Sequence, residues 1–160
     1  MHRNIILLVV TLFILSGNNI GMADESVPWG HATTSQSTYA KQKVVYDLTT
    51  GNSERLANIL ARTGYLSKLN SEDSFDSKIV VVIHSDAIPF FAIANIQQHR
   101  QLMELAYSQT LNEVIEFRMC QKSAQLQGFN PADIHGFVSM VPMADAEIVR
   151  LQQEGYAYMR

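Results

Sequence analysis

Five consecutive β-branched residues, Ile79-Val80-Val81-Val82-Ile83, constrain this chain more than any other feature. β-Branching favours extended backbone. An apolar run without alternation suits a strand covered on both faces, which is the situation inside a parallel sheet. Parallel neighbours need crossover connections, usually helices, so helical segments should flank this strand on either side. They do. The sequence predicts strands over 44–48, 79–83, 114–119, 134–141 and 156–158, and helices over 53–69, 96–110, 121–127 and 144–154. Ser85 to Phe91 reads as a loop, because Pro89 disfavours helix at Ile88. The expected fold class is a three-layer α/β domain, with a five-stranded, mostly parallel sheet and helices on both faces.

Composition supports a packed domain and removes several functions. Hydrophobic residues make up 47% and charged residues 17%, enough for a core. Acids outnumber bases 15 to 12, which argues against a nucleic-acid surface. The single cysteine excludes an internal disulfide and a multi-cysteine metal cage. No glycine-rich phosphate loop is present, and no cofactor is expected.

The N-terminus has the layout of an export signal. Arg3 precedes the apolar run Ile5 to Leu15, a polar break follows, and Gly21-Met22-Ala23 offers a cleavage site. The run is too short to span a bilayer as a helix. Removing the first 23 of 160 residues leaves 137, and losing Arg3 moves the formal charge from −3 to −4. The expected compartment is the periplasm, with no membrane attachment after cleavage. Residues 24–43 form a polar arm carrying Trp29, and 44–160 form the domain.

Cys120 is the most informative side chain. It closes the third strand and opens the following helix, so its sulfur lies at the carboxyl edge of the sheet beside free helix N–H groups. That is where a thiolate is favoured and where ligands bind in such sheets. An inert cysteine packed as a small hydrophobe is the competing account. Arg118 is assigned to the other strand face, which leaves Lys122 as the expected electrostatic neighbour. His84 ends the second strand on the same sheet edge and can serve the thiol as a base, oriented by Asp86. A His–Asp pair merely capping a loop explains the same residues. Asp86, Ser123, Thr50 and Asn52 are candidate substrate contacts, the last two beside a helix start that suits an anion or simply needs a cap. No metal site is expected, because His31, His99 and His135 share no spacing with His84. The apolar segment Ile88, Phe90, Phe91, Ile93 and Ile96 is expected to lie at a subunit interface.

From Lys78 to Arg160 the chain resembles the DsrE/DsrF-like family of small sulfur-handling proteins. The resemblance is carried by three segments. The first is Ile79–Ile83 running into His84-Ser85-Asp86-Ala87. The second is Val114-Ile115-Glu116-Phe117-Arg118-Met119-Cys120, with Ala124 and Gly128 behind it. The third is Val141-Pro142 and the closing run Leu151-Gln152-Gln153-Glu154-Gly155-Tyr156-Ala157-Tyr158, which is most similar to an exported, uncharacterised branch. The resemblance implies a trimer or hexamer, and a cysteine at the position of Cys120 that accepts persulfide sulfur and passes it to a partner protein. The relay members work in the cytoplasm, so the leader sets this chain apart. Two functions are therefore expected to compete: a sulfur carrier acting through Cys120, or a non-catalytic oligomeric binding module in which Cys120 is packing.

Overall fold

The computed structural model describes residues 30–72, 75 and 77–160. The leader at 1–23 and Trp29 lie outside the described residues. Two compact units are distinguished, Met1–Gln36 and Ser37–Arg160. Residues 30–36 of the first are exposed and irregular. The second holds every element named below.

The order of elements is β1 (Lys43–Leu48), α1 (Ser53–Leu69), β2 (Lys78–Ile83), α2 (Ile96–Thr110), β3 (Ile115–Cys120), α3 (Gln121–Leu126), β4 (Val138–Val141), α4 (Ala144–Gln153) and β5 (Ala157–Met159). The strands form one sheet in the order β4-β3-β2-β1-β5, and every pair is parallel. The three-layer α/β class is thus observed, with all strands parallel.

The β2 run explains itself here. Ile79 to Ile83 are each 0% exposed. Ile79, Val81 and Ile83 pack under Leu56 and Leu60 of α1 and Met103 and Ala106 of α2. Val80 and Val82 point the other way, under Ala144, Ile148 and Leu151 of α4. Helices on both faces leave β2 no polar face, so its sequence cannot alternate.

Local signals set the helix ends. Asn52 caps α1, its Oδ1 accepting the Arg55 N–H at 2.9 Å. Gly128 and Gly155 follow α3 and α4 at φ +83° and +89°, left-handed values that glycine adopts without a Cβ penalty.

Three expectations change. Ser85–Phe91 is a 3-10 helix rather than a loop, because its i to i+3 bonds tolerate Pro89 in a short piece. β4 is limited to Val138–Val141, while Ile134 makes only an isolated antiparallel bridge to Ala92. The apolar segment is covered largely by its own chain: Ile88, Phe90 and Phe91 are buried in the core, and only Ile93 is exposed. Phe91 there meets Phe117 at 5.9 Å and Phe137 at 6.3 Å between ring centroids.

Phe91→Ala should therefore destabilise the domain by about 3–5 kcal/mol, read as a shift in the urea midpoint at unchanged slope. A loss below about 1 kcal/mol would show that the aromatic cluster is not part of the cooperative core.

Candidate functional site

The parallel register lines up the strand ends. Ile83 of β2 pairs with Met119 of β3, so the next residues, His84 and Cys120, stand side by side. Alternation turns both side chains toward the α4 face, as it does Asp47 of β1, two residues after Val45. Cys120 is both the last residue of β3 and the N-cap of α3. Its Sγ accepts the Ser123 N–H at 3.4 Å. It is 5% exposed and packs with Val45, Val80, Val82, Ala144, Ile148 and Leu151. The sulfur sits at a seam, with an aliphatic cluster on one side and a polar corner on the other.

That corner is a connected hydrogen-bond array. His84 Nε2 lies 2.7 Å from Asp47 Oδ1. A carboxylate only accepts, so Nε2 carries a proton, while Nδ1 lies 3.3 Å from Ser85 Oγ. Tyr158 of β5 donates its hydroxyl to Asp47 Oδ2 at 2.5 Å, and Arg160 Nε donates to Tyr158 Oη at 3.1 Å. On the other flank the Ser85 N–H donates to Ser123 Oγ at 3.1 Å, and Gln127 Nε2 donates to the Ser85 carbonyl at 2.8 Å. These two bonds hold Ser85 at φ +53°, a left-handed conformation uncommon for a residue with a Cβ. Through Ser123 the array reaches the sulfur.

Several expected roles move. The carboxylate that orients His84 is Asp47, not Asp86. Asp86 enters the 3-10 helix, with its Cβ where a Cβ on Gly51 would meet it at 3.2 Å. Lys122 is exposed, and among the described residues its ammonium makes no hydrogen bond or ion pair. Arg118 shares Cys120's face, because residues two apart in a strand point the same way. Its guanidinium is committed to Glu116 and Glu147, both at 2.5 Å. Ser123, expected as a substrate contact, gives its N–H to the sulfur. Asn52 and Thr50 do capping work, Thr50 Oγ1 accepting the Asn52 N–H at 3.1 Å, while Thr50 also lines a cleft.

That cleft, about 550 Å³, opens beyond the ends of β1 and β2 and is lined by Asp47, Thr49, Thr50, Arg55, Ile59, His84, Asp145 and Arg160. Cys120 is not among its lining. Asp47, Arg55, Asp145, Tyr158 and Arg160 were not singled out from sequence. The one readable signal was Asp47, an acid within an otherwise apolar strand. Among the described residues, no group of three or more His, Cys, Asp or Glu is placed to hold a metal, and no helix is long and apolar enough to cross a membrane.

An ion-pair network occupies the same sheet face beside Cys120. Lys78 meets Glu116 at 2.6 Å. Glu147 bridges Arg118 and Arg150, and Arg150 also pairs with Glu154. Burial alone pushes Glu116 up, but hydrogen bonds and charge from Lys78 and Arg118 outweigh it and hold the carboxyl below its ordinary value. The Arg150 hydrogen bond is the main cause that lowers Glu147, reinforced by Arg118 against partial burial.

No protein-family model matches the chain, and no curated protein does. Solved structures do match. One is a protein of unknown function, MTH1491 from Methanobacterium thermoautotrophicum, with a TM-score of 0.58 and 21% sequence identity. The match covers 75% of this chain and 99% of that one. The likeness establishes the fold.

The lowered Glu116 and Glu147 give a pH prediction. Their contribution to stability is present above the ordinary glutamate value and is lost as pH falls through their depressed values. Wild-type stability should decline on acidification below about pH 4.3. The Glu116→Gln, Glu147→Gln double variant should be less stable at pH 7 and lose less over that window. Urea midpoints at pH 7 and pH 3 check this, and parallel declines in the two proteins would contradict it.

Proposed function

We propose that this protein is a DsrE-like sulfur carrier acting outside the cytoplasm, with Cys120 as the atom that is loaded. The single observation behind this reading is the position of Cys120. Its sulfur accepts an amide N–H at the carboxyl edge of a parallel sheet, one strand from an Asp47–His84 pair that shares its face. The Ser123 N–H is aimed at the atom on which negative charge would develop. His84, at the end of the neighbouring strand with its Nε2 on Asp47, is the group that would take the proton.

The step balances with a persulfide donor. The Cys120 thiol gives its proton to His84, and the thiolate attacks the outer sulfur of R–S–SH. A new S–S bond forms at Cys120 as the donor's S–S bond breaks. The electron pair leaves on R–S⁻, which takes a proton from solvent. Delivery to an acceptor thiol, on a partner protein or a small molecule, reverses the exchange. No external oxidant or reductant is needed.

A homo-oligomer, trimer or hexamer, accompanies this reading. It draws support from apolar side chains on the outer helices. Tyr65 and Leu105 line a groove of about 430 Å³ between α1 and α2, and Leu69 and Leu111 are exposed at 64% and 67%.

A second reading is favoured by a different observation. Cys120 is almost closed off and touches aliphatic side chains, as packing would require. On that reading the protein is a non-catalytic binding module, and the polar cleft is its business end.

Two measurements separate them. The carrier reading expects Cys120 in the native protein to react with a small alkylating reagent, and to gain about 32 Da, one sulfur, on exposure to an organic persulfide. His84→Gln should slow that gain by about 10²-fold without changing the fold. Labelling only after denaturation, with no mass gain, would sink the carrier and leave the binding module. Cys120→Ser should fold and keep its assembly, as sedimentation will show; dissociation would assign the cysteine to packing.

A further inference from the structure

The cleft beyond β1 and β2 carries a charge arrangement that the carrier chemistry does not use. Its fixed charges are Asp47, Arg55, Asp145 and Arg160, with His84 between them. Asp47 is spent, one oxygen on His84 and the other on Tyr158. Arg160 gives Nε to Tyr158, and its backbone is pinned by Arg62 Nη1, which donates to its carbonyl at 3.0 Å. Arg160's terminal nitrogens stay open. Arg55, in the first turn of α1, and Asp145, in the first turn of α4, have no side-chain hydrogen bond or ion pair among the described residues. They are not paired with each other, although they line one cleft. Their helices lie on opposite faces of the sheet. A free cation and a free anion therefore stand apart across a single opening, with the Ile59 side chain as apolar surface and Thr49 as a further polar group.

We infer that this cleft binds a small zwitterion of the α-amino-acid kind. Its carboxylate would lie on the Arg55 and Arg160 wall and its ammonium on Asp145. The charges select for this. A simple anion gains Arg55 but must sit near Asp145 and Asp47; a simple cation meets the reverse problem. A zwitterion satisfies both free groups and leaves the site neutral. A cleft of about 550 Å³ falls in the range of small-molecule sites, roughly 300–1,000 Å³. Asp145 also favours the start of α4 through the helix dipole, but that role does not explain why the partnerless Arg55 shares its opening. One refinement rests on the carrier reading above: since His84 lines the cleft and stands beside Cys120, a sulfur-bearing zwitterion such as cysteine is the natural occupant.

The test is calorimetric titration of the Cys120→Ala protein, which cannot exchange sulfur, with three probes: L-cysteine, cysteamine, which lacks the carboxylate, and 3-mercaptopropionate, which lacks the ammonium. L-Cysteine should bind about tenfold or more tighter than either analogue, the expected value of one charged hydrogen-bonding contact. Arg55→Gln should weaken L-cysteine and 3-mercaptopropionate while leaving cysteamine unchanged. Asp145→Asn should do the opposite, weakening L-cysteine and cysteamine alone. Equal binding of all three probes, no binding of L-cysteine, or variants that weaken all probes alike would overturn the site. The two proposals fail separately. A zwitterion site that survives while wild-type Cys120 never gains sulfur keeps the cleft and removes the carrier. Loading of Cys120 without zwitterion preference does the reverse.

Discussion

Everything in this fold follows from having to bury β2 on both sides. Ile79, Val81 and Ile83 need one helical layer and Val80 and Val82 need another, and all five reach 0% exposure. Only crossover helices can supply both layers, and crossovers make the strands parallel. Parallel strands in turn deliver all their C-terminal ends to one rim. Asp47, His84 and Cys120 meet there not through local sequence but because β1, β2 and β3 end together. The chemistry of the rim is a by-product of how the centre is covered.

At that rim two demands compete. The aliphatic cluster under α4 wants to close, and Cys120 is small and apolar enough to finish it. The backbone just beyond has a helix start and a left-handed serine whose polar groups must be satisfied. Cys120 serves both. Its Sγ seals the cluster and also accepts the Ser123 N–H. The polar side of the sulfur is the corner formed by Ser85 and Ser123, which is tied together from α3 rather than from β3 itself.

The sequence showed the strands and helices because β-branched runs and helical spacing are local properties. It misjudged Ser85–Phe91, where burial of Ile88, Phe90 and Phe91 overrides the signal of Pro89 and draws the segment into the core as a 3-10 helix. It placed Cys120 and His84 at the correct edge, since position within a strand is readable. It gave His84 the wrong carboxylate. Asp86 is near in sequence, but Asp47 is near in space, and only the β1–β2 register reveals that. Tyr158, Arg55 and Asp145 stayed hidden for the same reason. Each reaches the rim from a different element, and no spacing along the chain links them. Arg118 is a different kind of miss, because strand period alone puts it on the face of Cys120.

That face also explains why β3 alternates while β2 does not. α4 is the helix that covers this side, and its apolar residues lie over β1 and β2. β3 lies further out, where a second helix would be needed to bury aliphatic side chains. Glu116 and Arg118 occupy those positions instead. They are paired with each other and tied to α4 through Glu147. Partial exposure makes charged pairs tolerable there, whereas full burial would have demanded valine or isoleucine. At Cys120 the strand returns to an apolar side chain, because Ala144 at the start of α4 comes down over it. The thiol thus marks the place where cover by α4 resumes, which is why one residue is at once the end of the core and the beginning of the polar corner.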